Sequence, residues 1–164
     1  MTFHRTAQRL WRSLTPEERL DAAAHFWRDP PADVAGTALG AIAQARHMRP
    51  QAARALAPEA QARILATILD PGEAVAAALL VSLHLGTRRS LLASFLDALG
   101  LPHEAGLLKD GAEAPPVGED AARKAVLALG AFPPPEVATY LNTLWLQDPE
   151  RWHGLEKAAG SGHG

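Results

Sequence analysis

Apolar positions recur along this chain at three- and four-residue intervals, in short runs cut by proline and glycine. That spacing predicts a succession of amphipathic helices. In the first run, residues 3–14, Phe3, Ala7, Leu10, Trp11 and Leu14 fall within about a 100° arc, with Arg5, Arg9 and Arg12 opposite. Thr15, Pro16 and Glu18 then form a helix-opening signal of cap, first residue and capping-box partner. The helix they open extends to about Arg28 and stops at Asp29-Pro30-Pro31. A third helix is expected over 32–47, with Gly36 and Gly40 read as points of close helix–helix approach. A short helix follows Pro50, and another covers 58–69.

Asp70 and Glu73 repeat the opening logic for a helix to about Leu85 that is apolar on nearly all sides. Such a helix belongs at the centre of a bundle. Gly86 is expected to end it, and Thr87 to cap a helix running to Leu99. Gly100 fits a left-handed C-terminal position with Leu101 as its hydrophobic contact. Pro102 is read as opening a short helix to Leu108. Residues 109–118 form the clearest loop, and helices follow over 119–129, 134–146 and 149–159. The Gly-Ser tail, 160–164, is expected to be disordered.

The fold class that results is all-α: a single domain over 1–159, built as an irregular bundle of about eight to ten short helices. A subdivision would fall at the 109–118 loop. The alternative architecture is a short HEAT-like α-solenoid. It rests on three Pro-Glu…Asp-Pro frames, opening at Pro16, Pro58 and Pro135. Their spacing is compatible with a period of about 40 residues.

Composition reinforces the helical reading. Ala occurs 34 times and Leu 24 times among 164 residues, against 9 for Ile and Val together. Chains poor in β-branched residues favour helix over sheet. The wealth of Ala, and the 13 Arg against 3 Lys, suits a GC-rich bacterial genome. There is no cysteine, which excludes disulfides, thiolate metal ligands and cysteine nucleophiles. No secretory signal is legible near the start, and the longest uncharged stretch, 74–87, is too short to span a bilayer. The expected location is cytoplasmic, with no membrane partner.

Candidate chemistry is sparse. No two of the seven histidines are four residues apart, so no helical metal site is expected, and no cofactor motif appears. The enzyme candidate is His84, His103 and Glu104, titratable groups near glycine turns. Arg88 and Arg89 follow a helix start, where the dipole disfavours cations. They either pair with carboxylates such as Glu104, Asp110 or Glu113, or await an external anion. Arg46 and Arg49, with His47 and Arg54, form a second basic cluster. Residues 1–96 hold 11 basic and 8 acidic residues, and 97–164 hold 5 and 10. That imbalance is too slight for an evident nucleic-acid binder, but it suits self-association or a basic partner. Trp11, Trp145 and Trp152 are candidate interface anchors.

The leading expectation is a non-enzymatic protein-interaction module that binds another protein or itself through helical grooves. The alternatives are a small helical enzyme or metal-binding protein using His84, His103 and Glu104, and an anion or nucleic-acid binder using Arg46, Arg49, Arg88 and Arg89.

Overall fold

A computed structural model describes residues 3–108 and 116–160. Among the described residues the chain is all-α, with ten helices and one small hairpin. It divides into two compact units. The first is Thr6–Thr87; the second joins residues 3–5 to residues 88–160. Residues 109–115 of the expected loop lie outside the described residues.

The first unit contains α1 (Ala7–Ser13), α2 (Pro16–Arg28), α3 (Ala32–Ala45), α4 (Pro50–Ala55), α5 (Pro58–Thr67) and α6 (Glu73–Thr87). The capping box at α2 forms as the residues predict: Thr15 Oγ1 accepts from Glu18 N–H, and the Glu18 carboxylate accepts from Thr15 N–H. Helix α2 packs chiefly on α5 and α6. A stacked solenoid would instead pack each helix mainly on its nearest neighbours. Trp11, Phe26, Ile42, Leu65, Leu79, Leu80 and Leu83 are fully buried.

Several local elements differ from those the sequence predicts. Helix α1 begins at Ala7, because Thr6 takes an extended conformation and its hydroxyl accepts from Arg9 N–H. Asp70 does not cap α6; it pairs with Arg12. Glu73 reaches away from its own helix, and its carboxylate accepts Ala7 N–H at 2.6 Å and Gln8 N–H at 3.3 Å. Helix α1 has no acidic residue in its own first turn, so a side chain 66 positions away supplies the negative charge its N-terminus favours. Gln8 Oε1 in turn accepts Gly72 N–H at 3.0 Å.

Gly86 does not end α6. It lies inside that helix, where a Cβ would fall 2.2 Å from the His25 ring of α2. The close approach therefore occurs at Gly86, whereas Cβ atoms at Gly36 and Gly40 would meet nothing within 4 Å. Thr87 is the last residue of α6 rather than a cap for the next helix, and its hydroxyl donates to Leu83 O. Helix α3 closes on Met48 N–H to Ala43 O, which puts His47 in the left-handed region at φ +52°.

The second unit contains α7 (Arg89–Ala98), strands β1 (His103–Glu104) and β2 (Leu107–Leu108), α8 (Glu119–Leu127), α9 (Pro134–Gln147) and α10 (His153–Gly160). Gly100, at φ +69°, ends α7 as expected, with Leu101 N–H bonded to Leu96 O. The helix expected after Pro102 is instead an antiparallel hairpin pairing His103 with Leu108 and Glu104 with Leu107. Its two turn residues, Ala105 at φ +50° and Gly106 at φ +87°, have the paired positive angles of a type I′ turn. A Cβ at Gly106 would come within 2.8 Å of Leu92 Cβ, so this position needs glycine for space as well as for conformation. Helix α10 begins at His153, later than expected, after a turn in which Arg151 N–H bonds Asp148 Oδ1. Gly154 lets α10 lie against the 117–118 backbone, which a Cβ would meet at 2.7 Å. Residues 161–164 of the predicted tail fall outside the described residues.

Gly36→Ala and Gly40→Ala should each raise stability by about 0.5–1 kcal/mol, because a mid-helix Cβ enters open space. Gly106→Ala should lower it. Thermal unfolding of the three variants checks both signs. Glu73→Ala should cost about 1–3 kcal/mol by stripping two amides at the start of α1 of their acceptor. Denaturant titration measures that loss.

Candidate functional site

The second unit holds a three-residue segment that is neither helix nor strand. His4 N–H donates to Asn142 Oδ1 at 2.7 Å, and Asn142 Nδ2 donates to His4 O at 3.0 Å. One carboxamide thus satisfies both backbone groups of one residue. Those two groups point to the same side only where the backbone is extended, so this is strand pairing in which a side chain replaces the second strand. Asn142 lies on α9 and is 2% exposed. Burial makes the match consequential, because a buried amide without partners costs about 1–3 kcal/mol.

The residues on either side of His4 meet a single aromatic face. The Phe3 ring lies 6.0 Å from the Trp145 ring, tilted by 54°. Arg5 Cζ lies 5.0 Å from the Trp145 centroid, and Arg5 Nη2 bonds Glu156 Oε1 of α10 at 2.5 Å. Residues i and i+2 of an extended segment share a face, which explains why Phe3 and Arg5 find the same indole. Phe3 is buried, while the Arg5 and Glu156 side chains remain 59% and 41% exposed. The cradle is therefore apolar at one end, open and acidic at the other. Behind it, Tyr140 packs edge-on against Phe95 at 5.5 Å, and burial pushes its phenol well above the ordinary tyrosine range.

A second feature lies in the first unit. Ala24, Trp27 and Arg28 of α2, with Pro58, Glu59 and Ala62 of α5, line a groove of about 360 Å³. The Trp27 ring packs edge-on to Phe26 at 5.1 Å. Its indole N–H is buried and meets no acceptor among the described residues. Arg28 and Glu59 are exposed at the groove.

The residues singled out from sequence have varied settings. Trp11 and Trp152 are core residues, 0% and 3% exposed; Trp11 Nε1–H donates to Ile68 O, and Trp152 packs on Phe95. Trp145 alone of the three is half-buried. His84 is buried near the end of α6 in the first unit. His103 is in the second unit: Nε2 lies 2.6 Å from Asp97 Oδ1, and Nδ1 accepts Gly106 N–H at 3.3 Å. The Nε2 contact ties the hairpin to α7 while Nδ1 closes the hairpin's own turn, and Glu104 is exposed on β1. Arg46 and Arg49 are exposed; Arg46 ends α3, where the dipole favours a cation, and Arg49 sits at the start of α4. Arg88 is buried at the start of α7, and Arg89 reaches Ala105 O at 3.4 Å. Asp110 and Glu113, expected to face these arginines, lie outside the described residues. Among the described residues no three His, Asp or Glu side chains group so that they could hold a metal ion, and no single helix is long and apolar enough to cross a membrane.

Neither Asn142 nor Trp27 stood out in the sequence. Asn142 sits on the buried side of α9 with Thr139, Tyr140 and Thr143, so the buried side of this helix is rich in polar groups. That run of polar residues in a buried helix was the available signal. No protein-family model, no curated protein and no solved structure matches the chain.

Asn142→Asp should destabilise the protein by about 1–3 kcal/mol at neutral pH, since a carboxylate would face the His4 carbonyl. Protonation turns the introduced carboxyl into a donor, and burial raises its folded pKa above the unfolded value. The penalty should therefore shrink as pH falls through the folded pKa. Urea titrations at several pH values read this directly.

Proposed function

We propose that this chain is a non-catalytic protein-interaction module, acting as an adaptor, regulator or assembly component. It binds another protein, or another copy of itself, through helical grooves. The observation that carries the reading is the α2–α5 groove, lined by Trp27 with Arg28 and Glu59 exposed beside it. The Trp27 indole N–H is buried without an acceptor among the described residues. A small shift of its ring on binding would let a partner's acceptor meet it and recover the roughly 1–3 kcal/mol that an unmatched donor costs. Small side chains at Ala24 and Ala62 leave the floor open, and Arg28 and Glu59 offer both signs of charge at its rim. Tryptophan and arginine are also the side chains that most often anchor protein interfaces. A cytoplasmic setting in a bacterial cell belongs to the same proposal and draws on the Ala- and Arg-rich composition.

The reading makes stability and binding move in opposite directions. Trp27→Phe removes the unmatched donor while keeping most of the ring, so the isolated chain should melt at the same temperature or higher. Retention of the partner from the source cell should fall, and the double charge reversal Arg28→Glu, Glu59→Lys should abolish it. Thermal unfolding beside quantitative affinity capture checks both arms. A lower melting temperature with capture unchanged would make Trp27 a packing residue only.

A further inference from the structure

The cradle on the second unit does more than hold an end of the chain. Its contacts to residues 3–5 amount to a recognition rule. Asn142 reads backbone, through both groups of His4, and so is indifferent to the side chain there. The Trp145 face takes an aromatic ring from one neighbour and a guanidinium from the other. Glu156 fixes the charge of the second. Main-chain bonds supply affinity and alternate side chains supply specificity, the division of labour seen when extended peptides are bound.

We propose that the Asn142–Trp145–Glu156 cradle is a docking site for an extended aromatic-x-Arg segment of a partner protein, occupied in this structure by the chain's own Phe3-His4-Arg5. Residues 3–5 act as an intramolecular stand-in that a partner displaces. Three features favour this exchange. The seated segment itself displays the chemistry that fits. The arginine end is open, so an incoming segment can enter there before the apolar end is vacated. The arginine end of the seated segment is also weakly held, by an ion pair and a cation–π contact that solvent reaches. Its advantage is tethering, which gives a short linked segment an effective concentration in the mM range. A partner segment wins by adding contacts beyond the three residues.

The test uses the full chain and one probe, an N-acetylated, C-amidated peptide of sequence Thr-Phe-His-Arg-Thr. The Trp145 indole N–H and the Asn142 side-chain amide are followed by NMR, with Trp145→Phe giving the assignment. In a chain carrying Phe3→Gly and Arg5→Gly, the peptide should shift both signals. In the native chain the same shifts should need about ten-fold more peptide, because the tethered segment competes. A peptide with Ser for Phe, or Glu for Arg, should leave both signals in place. Adding Asn142→Leu to the double variant should remove the response. If the double variant loses its helical circular dichroism, Arg5→Glu serves instead, since it sets two carboxylates against each other at an exposed site and should give the same ordering. The proposal is overturned if the native chain and the variant respond equally, or if the altered peptides bind as well as the first. It is equally overturned if releasing the segment produces a dimer that exchanges N-termini while the peptide has no effect.

Discussion

The constraint on which this structure depends is that short helices leave their ends unpaired. Each α-helix has four amides and four carbonyls with no partner inside it, and no helix among the described residues exceeds 15 residues. Helix α4 has only six residues, so most of its polar backbone is terminal. The chain meets this demand with side chains that arrive from elsewhere. Glu73 covers the first amides of α1, and Gln61 donates to Ala53 O near the end of α4. Arg19 donates both to Leu14 O after α1 and to Ala66 O at the end of α5. The Trp11 indole donates to Ile68 O, just past α5. Each bond closes a helix end and ties two elements together, so secondary structure and packing of the first unit are specified by the same residues.

Asn142 extends that device to a segment with no regular structure at all. Residues 3–5 could not contribute hydrogen bonds to a helix, and no strand lies beside them among the described residues. A buried carboxamide provides the donor and the acceptor that an extended residue requires. The same device that ends helices in the first unit becomes a recognition surface in the second. Trp27 presents the inverse case, a buried donor to which nothing in its unit answers.

The division between what could and could not be read from sequence follows the range of the interactions. The helix starting at Pro16 was legible because Thr15, Pro16 and Glu18 are adjacent, and the end of α7 because Gly100 and Leu101 are. The all-α class was legible from apolar spacing and from the scarcity of Ile and Val. Glu73 looked like a residue of its own helix start, because nothing local reveals that Ala7 lies in front of it. Gly36, Gly40 and Gly86 look alike in sequence, yet only Gly86 meets another helix. The hairpin at His103–Leu108 was hidden by Ala105, which occupies a left-handed position that sequence reasoning assigns to Gly or Asn. The cradle joins residue 4 to residue 142 and residue 5 to residue 156, separations at which local pattern carries no information.

Much of the structure therefore rests on side-chain bonds to backbone groups outside any ladder, and native-state hydrogen exchange measures those amides one by one. His4, Ala7 and Gly72 are the informative ones, held by Asn142, Glu73 and Gln8 respectively. Ala7 and Gly72 should exchange slowly, with protection comparable to amides inside α2, and His4, whose segment a competing peptide displaces, should be slowed about ten-fold relative to an unstructured chain. Exchange of these amides at the rate of an unstructured chain, with α2 and α9 still protected, would contradict the account.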